Sequence, residues 1–97
     1  MKKILLVCAA GMSTSLLVNK MKAEASQQGI DVEIKAVAKE KLAENIEGAN
    51  VVLLGPQIGY LEDDFKEAYK EMQIPIRVIN SIDYGMMNGK KILAEAL

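Results

Sequence analysis

The sequence has no histidine, no tryptophan and only one cysteine, Cys8. Without histidine it lacks the commonest general base and zinc ligand, and no Ser-His or Cys-His pair can form within the chain. A lone cysteine excludes an internal disulfide and any CxxC redox or metal centre. Aromatic residues make up only 4% of the chain, too few for a base-stacking platform. Neither sign of charge dominates. Twelve Lys and Arg face thirteen Asp and Glu, and the basic residues are scattered as Lys20/Lys22, Lys39/Lys41 and Lys90/Lys91, which argues against nucleic acid as a partner. Long apolar runs are missing too. No segment approaches the roughly 20 residues of a membrane span. The apolar residues between Lys3 and Cys8 fall short of the roughly 7 to 15 of a secretory signal. The expectation is a cytoplasmic protein whose thiol stays reduced, with no metal and no cofactor.

What the sequence does have is ordinary globular composition: 51% hydrophobic and 26% charged over 97 residues, enough for one domain spanning residues 1–97 and one modest core. Ile4-Leu5-Leu6-Val7 and Val51-Val52-Leu53-Leu54 are continuous apolar runs, as strands buried on both faces require. Residues 31–36 alternate polar with apolar, and residues 76–79 include Arg77, so both read as edge strands.

Helical patterns fill the intervals. Met12 or Ser13 opens a helix to about Gln28, with Leu17, Met21 and Ala25 on one face and Gly29 as its stop. A short helix over residues 41–47 points Leu42 and Ile46 inward. The spacing predicts a longer helix from about Tyr60 to Met72, with Leu61, Phe65, Ala68 and Met72 on one stripe and Glu62, Asp63 and Asp64 in its first turn. Residues 81–87 form one or two turns, Asn88-Gly89 breaks them, and residues 90–97 close the chain as a helix.

Strands alternating with helices imply an α/β fold: an open four-stranded parallel sheet with helices on both faces, a three-layer sandwich. With the continuous apolar strands central, the order is 2-1-3-4. Ligands in such sheets bind at the carboxyl end where the winding reverses, here between strands one and three. That sets the loop beginning at Cys8 opposite Gly55-Pro56-Gln57-Ile58-Gly59-Tyr60.

The segment Cys8-Ala9-Ala10-Gly11-Met12-Ser13-Thr14-Ser15 leads from a buried strand into a helix, as a phosphatase-like phosphate loop does. Small residues and one glycine allow successive N–H groups and the helix N-terminus to point at one anion, and a phosphoryl group suits that geometry. One of the three hydroxyls is equally needed as an N-cap. A thiol at this point lies in the positive end of the helix dipole, which favours its thiolate; the alternative is a small buried hydrophobe. In the Cys-x5-Arg loop of phosphatases and arsenate reductases an arginine holds the oxyanion. Thr14 occupies that position here, Arg77 is the chain's only arginine, and no aspartate follows the loop to protonate a leaving group. The loop suits carrying a phosphoryl group better than hydrolysing it. A small cysteine-dependent phosphatase, an oxyanion reductase and a noncatalytic phosphate-binding module are the competing classes. The missing arginine, the missing resolving cysteine and the absence of GxGxxG or GxxxxGK[ST] weigh against them in turn.

The Cys8–Val18 segment, taken together with Val51-Val52-Leu53-Leu54-Gly55-Pro56-Gln57-Ile58-Gly59-Tyr60, resembles the IIB component of the lactose/cellobiose/chitobiose family of the bacterial sugar phosphotransferase system. Residues 78–85 are similar to that family's last strand and its exit. The resemblance implies a phosphotransferase in which Cys8 accepts a phosphoryl group from a phosphohistidine on the IIA protein. It then passes the group to a sugar, a β-linked disaccharide such as cellobiose or chitobiose, bound by the membrane-embedded IIC protein. The absence of histidine agrees, because the donor imidazole must come from a partner.

On this reading Cys8 is the nucleophile, and Ala9, Ala10, Gly11, Met12, Ser13, Thr14 and Ser15 form the phosphate cradle. Gln57, Tyr60 and Tyr84 are candidates to border it. A carrier serving two partners in turn is expected to expose Cys8 and to rim it with adaptable apolar residues, with Met12, Ile58, Tyr60, Met86 and Met87 as candidates.

Overall fold

A computed structural model describes residues 2–9 and 15–97. Four strands, β1 (Lys2–Cys8), β2 (Val32–Ala38), β3 (Val51–Leu54) and β4 (Ile76–Val78), form one parallel sheet in the order β2-β1-β3-β4. The central strands are the two continuous apolar runs, because only they have both faces covered. The edge strands carry the exposed charges Glu33, Lys35 and Arg77. In β1, Ile4 and Leu6 pack on one face with α1 (Ser15–Gln28) and α5 (Gly89–Ala96); Leu17, Val18, Met21, Ala25, Ile92 and Leu93 complete that layer. Leu5 and Val7 face the other way, onto Leu42 of α2 (Leu42–Asn45), Ile46, Ile58 and the apolar side of α3 (Glu62–Ala68). These two clusters make the three layers.

α1 stops as expected. Gly29 takes a left-handed conformation (φ +70°), which lets Ile30 N donate to Ala25 O at 2.9 Å. Its expected opening residues, Met12 and Ser13, lie outside the described residues.

The helix expected over 60–72 is divided. A 3-10 segment covers Pro56–Leu61, α3 covers Glu62–Ala68, and a second 3-10 turn covers Lys70–Met72. Only half of the expected stripe packs. Leu61 and Phe65 rest on the core, but Ala68 and Met72 are exposed, and Tyr69 continues the row instead. The reason is geometric: residues 61, 65 and 69 follow a strict four-residue row, and the backbone leaves the α conformation at Tyr69, turning its ring beside Phe65 with centroids 6.4 Å apart.

After β4 the chain forms α4 (Ser81–Gly85), capped by Asn80, whose Oδ1 accepts from Ile82 N (2.9 Å) and Asp83 N (3.2 Å). Among the described residues no helix is long and apolar enough to cross a membrane, and no cluster of acidic or cysteine side chains is suited to a metal ion.

Candidate functional site

Cys8 is the last residue of β1, paired in register with Ala38 of β2, at the carboxyl end of the sheet where the winding reverses. Alternation along β1 puts it on the face of Ile4 and Leu6, the face covered by α1 and α5. The neighbouring strand is fastened at the same level: Gly55 N donates to Val7 O at 2.8 Å, and Ile79 N to Leu54 O at 2.9 Å. Cys8 is 1% exposed, contrary to the expectation of an open thiol, while Ala9 after it is exposed. The cause is that β1 runs through Cys8 instead of ending at Val7, so the residue is still part of the ladder and inside the sandwich.

Ala10, Gly11, Met12, Ser13 and Thr14 lie outside the described residues, so the expected cradle is seen only at its two ends. Ser15 begins α1 and is exposed, lining a shallow groove with Val18, Asn19, Lys22, Ile34, Lys35 and Ala36.

A cavity of about 320 Å³ opens at the carboxyl end of the sheet, lined by Leu17, Pro56, Gln57, Ser81, Tyr84, Gly85 and Met87. It brings together Gln57 and Tyr84, two of the three expected border residues, from the segments that follow β3 and β4. Tyr84 is buried, whereas Tyr60 is 70% exposed and stands outside the lining. Gln57 folds back over Gly55. A Cβ added to Gly55 would stand 3.2 Å from Gln57 Oε1 and 3.7 Å from Cys8 Cβ, so the carboxamide and the cysteine meet across the space glycine leaves empty.

Ile58 does not belong to the rim. It is buried among Leu5, Val7 and Leu54, because the 3-10 turn after Pro56 aims it back under the sheet. Met87 is half-buried against the core and adopts φ +53°, with its N–H donating to Tyr84 O (3.1 Å) and Asn88 N donating to Asp83 O (2.9 Å). Holding a side chain in this left-handed position costs on the order of 1 kcal/mol. The strain is kept at a residue that lines the cavity.

The sequence reading missed Ile82, which is 68% exposed; with Met86, the C-cap of α4, at 73% it forms an apolar pair one turn apart, while Asp83 and Tyr84 point inward. This reversal of the usual polarity was visible as Ile82-Asp83-Tyr84 after an Asn cap. Leu16 in the first turn of α1 and Tyr60 after β3 are likewise exposed. All four follow the carboxyl ends of strands, so they share one end of the molecule with Cys8. The only arginine does not. Arg77 donates from Nη1 to Glu95 O at 2.9 Å, on the β4 edge beside the end of α5.

Comparison with known proteins agrees with this geometry. The family model "PTS system, Lactose/Cellobiose specific IIB subunit" matches residues 3–95. The chain is 45% identical over 97 residues to the oligo-beta-mannoside-specific EIIB component of Bacillus subtilis, covering all of this chain and 94% of the relative. It is 42% identical to the cellobiose-specific EIIB component of Lactococcus lactis, covering 98% of this chain and 93% of the relative, and equally so to the galactose-specific one. The solution structure of a cellobiose-specific IIB component from Borrelia burgdorferi superposes with a TM-score of 0.81 at 45% identity, over 98% of this chain and 87% of that one. A lactose-specific IIB domain from Streptococcus pneumoniae, at 17% identity, shares the fold with a TM-score of 0.87 over 98% and 96% of the two chains.

Proposed function

Because the chain belongs to the lactose/cellobiose-specific IIB subunit family of the sugar phosphotransferase system, and is thereby a phosphotransferase component, we propose that Cys8 is its phosphoryl carrier. The observation that carries this reading is the position of Cys8 at the carboxyl end of β1, at the reversal of the sheet and beside Gly55 and Gln57. The Cys8 thiolate attacks the phosphorus of a phosphohistidine on IIA. The S–P bond forms as the N–P bond breaks, and the imidazole leaves with the electron pair. In the second transfer a hydroxyl oxygen of a sugar held by IIC attacks the same phosphorus. The S–P bond then breaks, the thiolate departs, and the hydroxyl proton goes to a base on the acceptor side.

Such transfers ask the protein for positioning and charge stabilisation more than for covalent chemistry. The amides of Ala9, Ala10, Gly11, Met12, Ser13, Thr14 and Ser15 supply the cradle, with Tyr84 behind it in the cavity wall and Tyr60 at its outer rim. The protein works in the cytoplasm and meets the inner face of the membrane through IIC. The sugar is a β-linked disaccharide of the cellobiose or chitobiose kind. Relatives similar at 42–45% carry three different sugar names, which supports leaving the choice of sugar to IIC. Peptide mapping after incubation with a phosphorylated IIA tests the reading: the group belongs on Cys8, and its recovery on Ser13, Thr14 or Ser15 would refute the assignment.

A further inference from the structure

We propose that Gln57 is a phosphoryl-binding residue, its side-chain amide donating a hydrogen bond to the group carried on Cys8; this rests on the carrier reading above. Three observations converge on it. First, the carboxamide of Gln57 lies over Gly55, 3.2 Å from a point that is itself 3.7 Å from Cys8 Cβ, so a phosphoryl group on Cys8 comes within reach of it. A half-turn of the amide exchanges its oxygen for its N–H pair without moving the rest of the side chain. Second, the cavity that Gln57 lines holds no lysine or arginine among the described residues, and Arg77 is held at Glu95, so the side-chain donors on this side of the sheet are neutral ones. Third, Gln57 is exposed in the first turn after Pro56 and serves no helix cap, so no capping role accounts for an amide at this position.

Gly55 is what permits the approach. Any side chain there would occupy the space between the amide and the cysteine.

The test compares the wild type with Gln57→Leu and Gln57→Glu, using a phosphorylated IIA protein as donor and reading the equilibrium division of the phosphoryl group between the two proteins. Leucine removes the donor, and glutamate replaces it with an anion facing an anion. The division should shift toward IIA by severalfold in Gln57→Leu and by about tenfold or more in Gln57→Glu. Thermal unfolding should be unchanged in both. The pH midpoint of Cys8 alkylation should move upward only in Gln57→Glu, an effect that a packing role would not produce. Equal division in all three proteins would overturn the role of Gln57 while leaving Cys8 as carrier. A wild type that takes up no phosphoryl group would overturn the carrier reading, and the role of Gln57 with it.

Discussion

Gly89 lies directly against Lys20: a Cβ added to Gly89 would stand 3.0 Å from the Lys20 carbonyl carbon, from Lys20 Cβ and from Met21 N. The first turn of α5 is thus pressed onto the backbone of α1, the helix that leads away from the Cys8 loop. Lys20 C and Met21 N are backbone atoms that cannot swing aside, so the contact yields only by separating the helices.

Gly89→Ala should therefore destabilise the fold by about 1–3 kcal/mol, although alanine is normally the better helix former. A urea titration checks it. Unchanged or increased stability would show that α1 and α5 are not packed this closely.

Asp83 is buried, and Lys91 Nζ stands 3.2 Å from its Oδ2 as an ion pair, in an orientation that does not make a hydrogen bond. Lys91 is half in solvent, which weakens the pair, but its removal leaves the carboxylate buried without that charge. Lys91→Met should cost about 1–3 kcal/mol, and Asp83→Asn in the same background should recover part of the loss. Additive losses in the double-mutant cycle would contradict the pairing.

Ile82 and Met86 present an apolar pair at the same end of the molecule as Cys8. Met86→Glu should raise the IIA concentration for half-maximal phosphoryl uptake about tenfold, with a melting temperature within a degree or two of wild type. Uptake kinetics on both proteins decide it, and an unaltered concentration dependence would remove α4 from the docking face.

The wild type should show no appreciable turnover of aryl phosphates, because Thr14 stands at the arginine position of phosphatase loops and Arg77 is engaged at Glu95. Hydrolysis that disappears in Cys8→Ser would favour the phosphatase alternative.

The sheet was legible in the sequence because its signal is one-dimensional: residues 4–7 and 51–54 are apolar without interruption, and only a central strand tolerates that. From that pattern the strand order, the reversal point and the opposition of Cys8 to Gln57 followed. What escaped depends on details of direction that periodicity does not encode. Ile58 was expected at the rim on its place in a loop, but a 3-10 turn rotates it inward. Ala68 and Met72 have helical spacing with Leu61, yet Tyr69 packs in their stead. Cys8 was expected to be open because carriers need access, whereas one further residue of strand pairing buries it. Ile82 went unread beside Met86 because a helix normally turns such a residue to the core, and here the inward positions belong to Asp83 and Tyr84.

The central claim, that the thiol of Cys8 carries a phosphoryl group, is tested most directly by intact-protein mass measurement after incubation with phosphorylated IIA. The wild type should gain the mass of one phosphoryl group and Cys8→Ser should gain none, with both proteins showing the same thermal unfolding. A full phosphoryl gain in Cys8→Ser would contradict the claim.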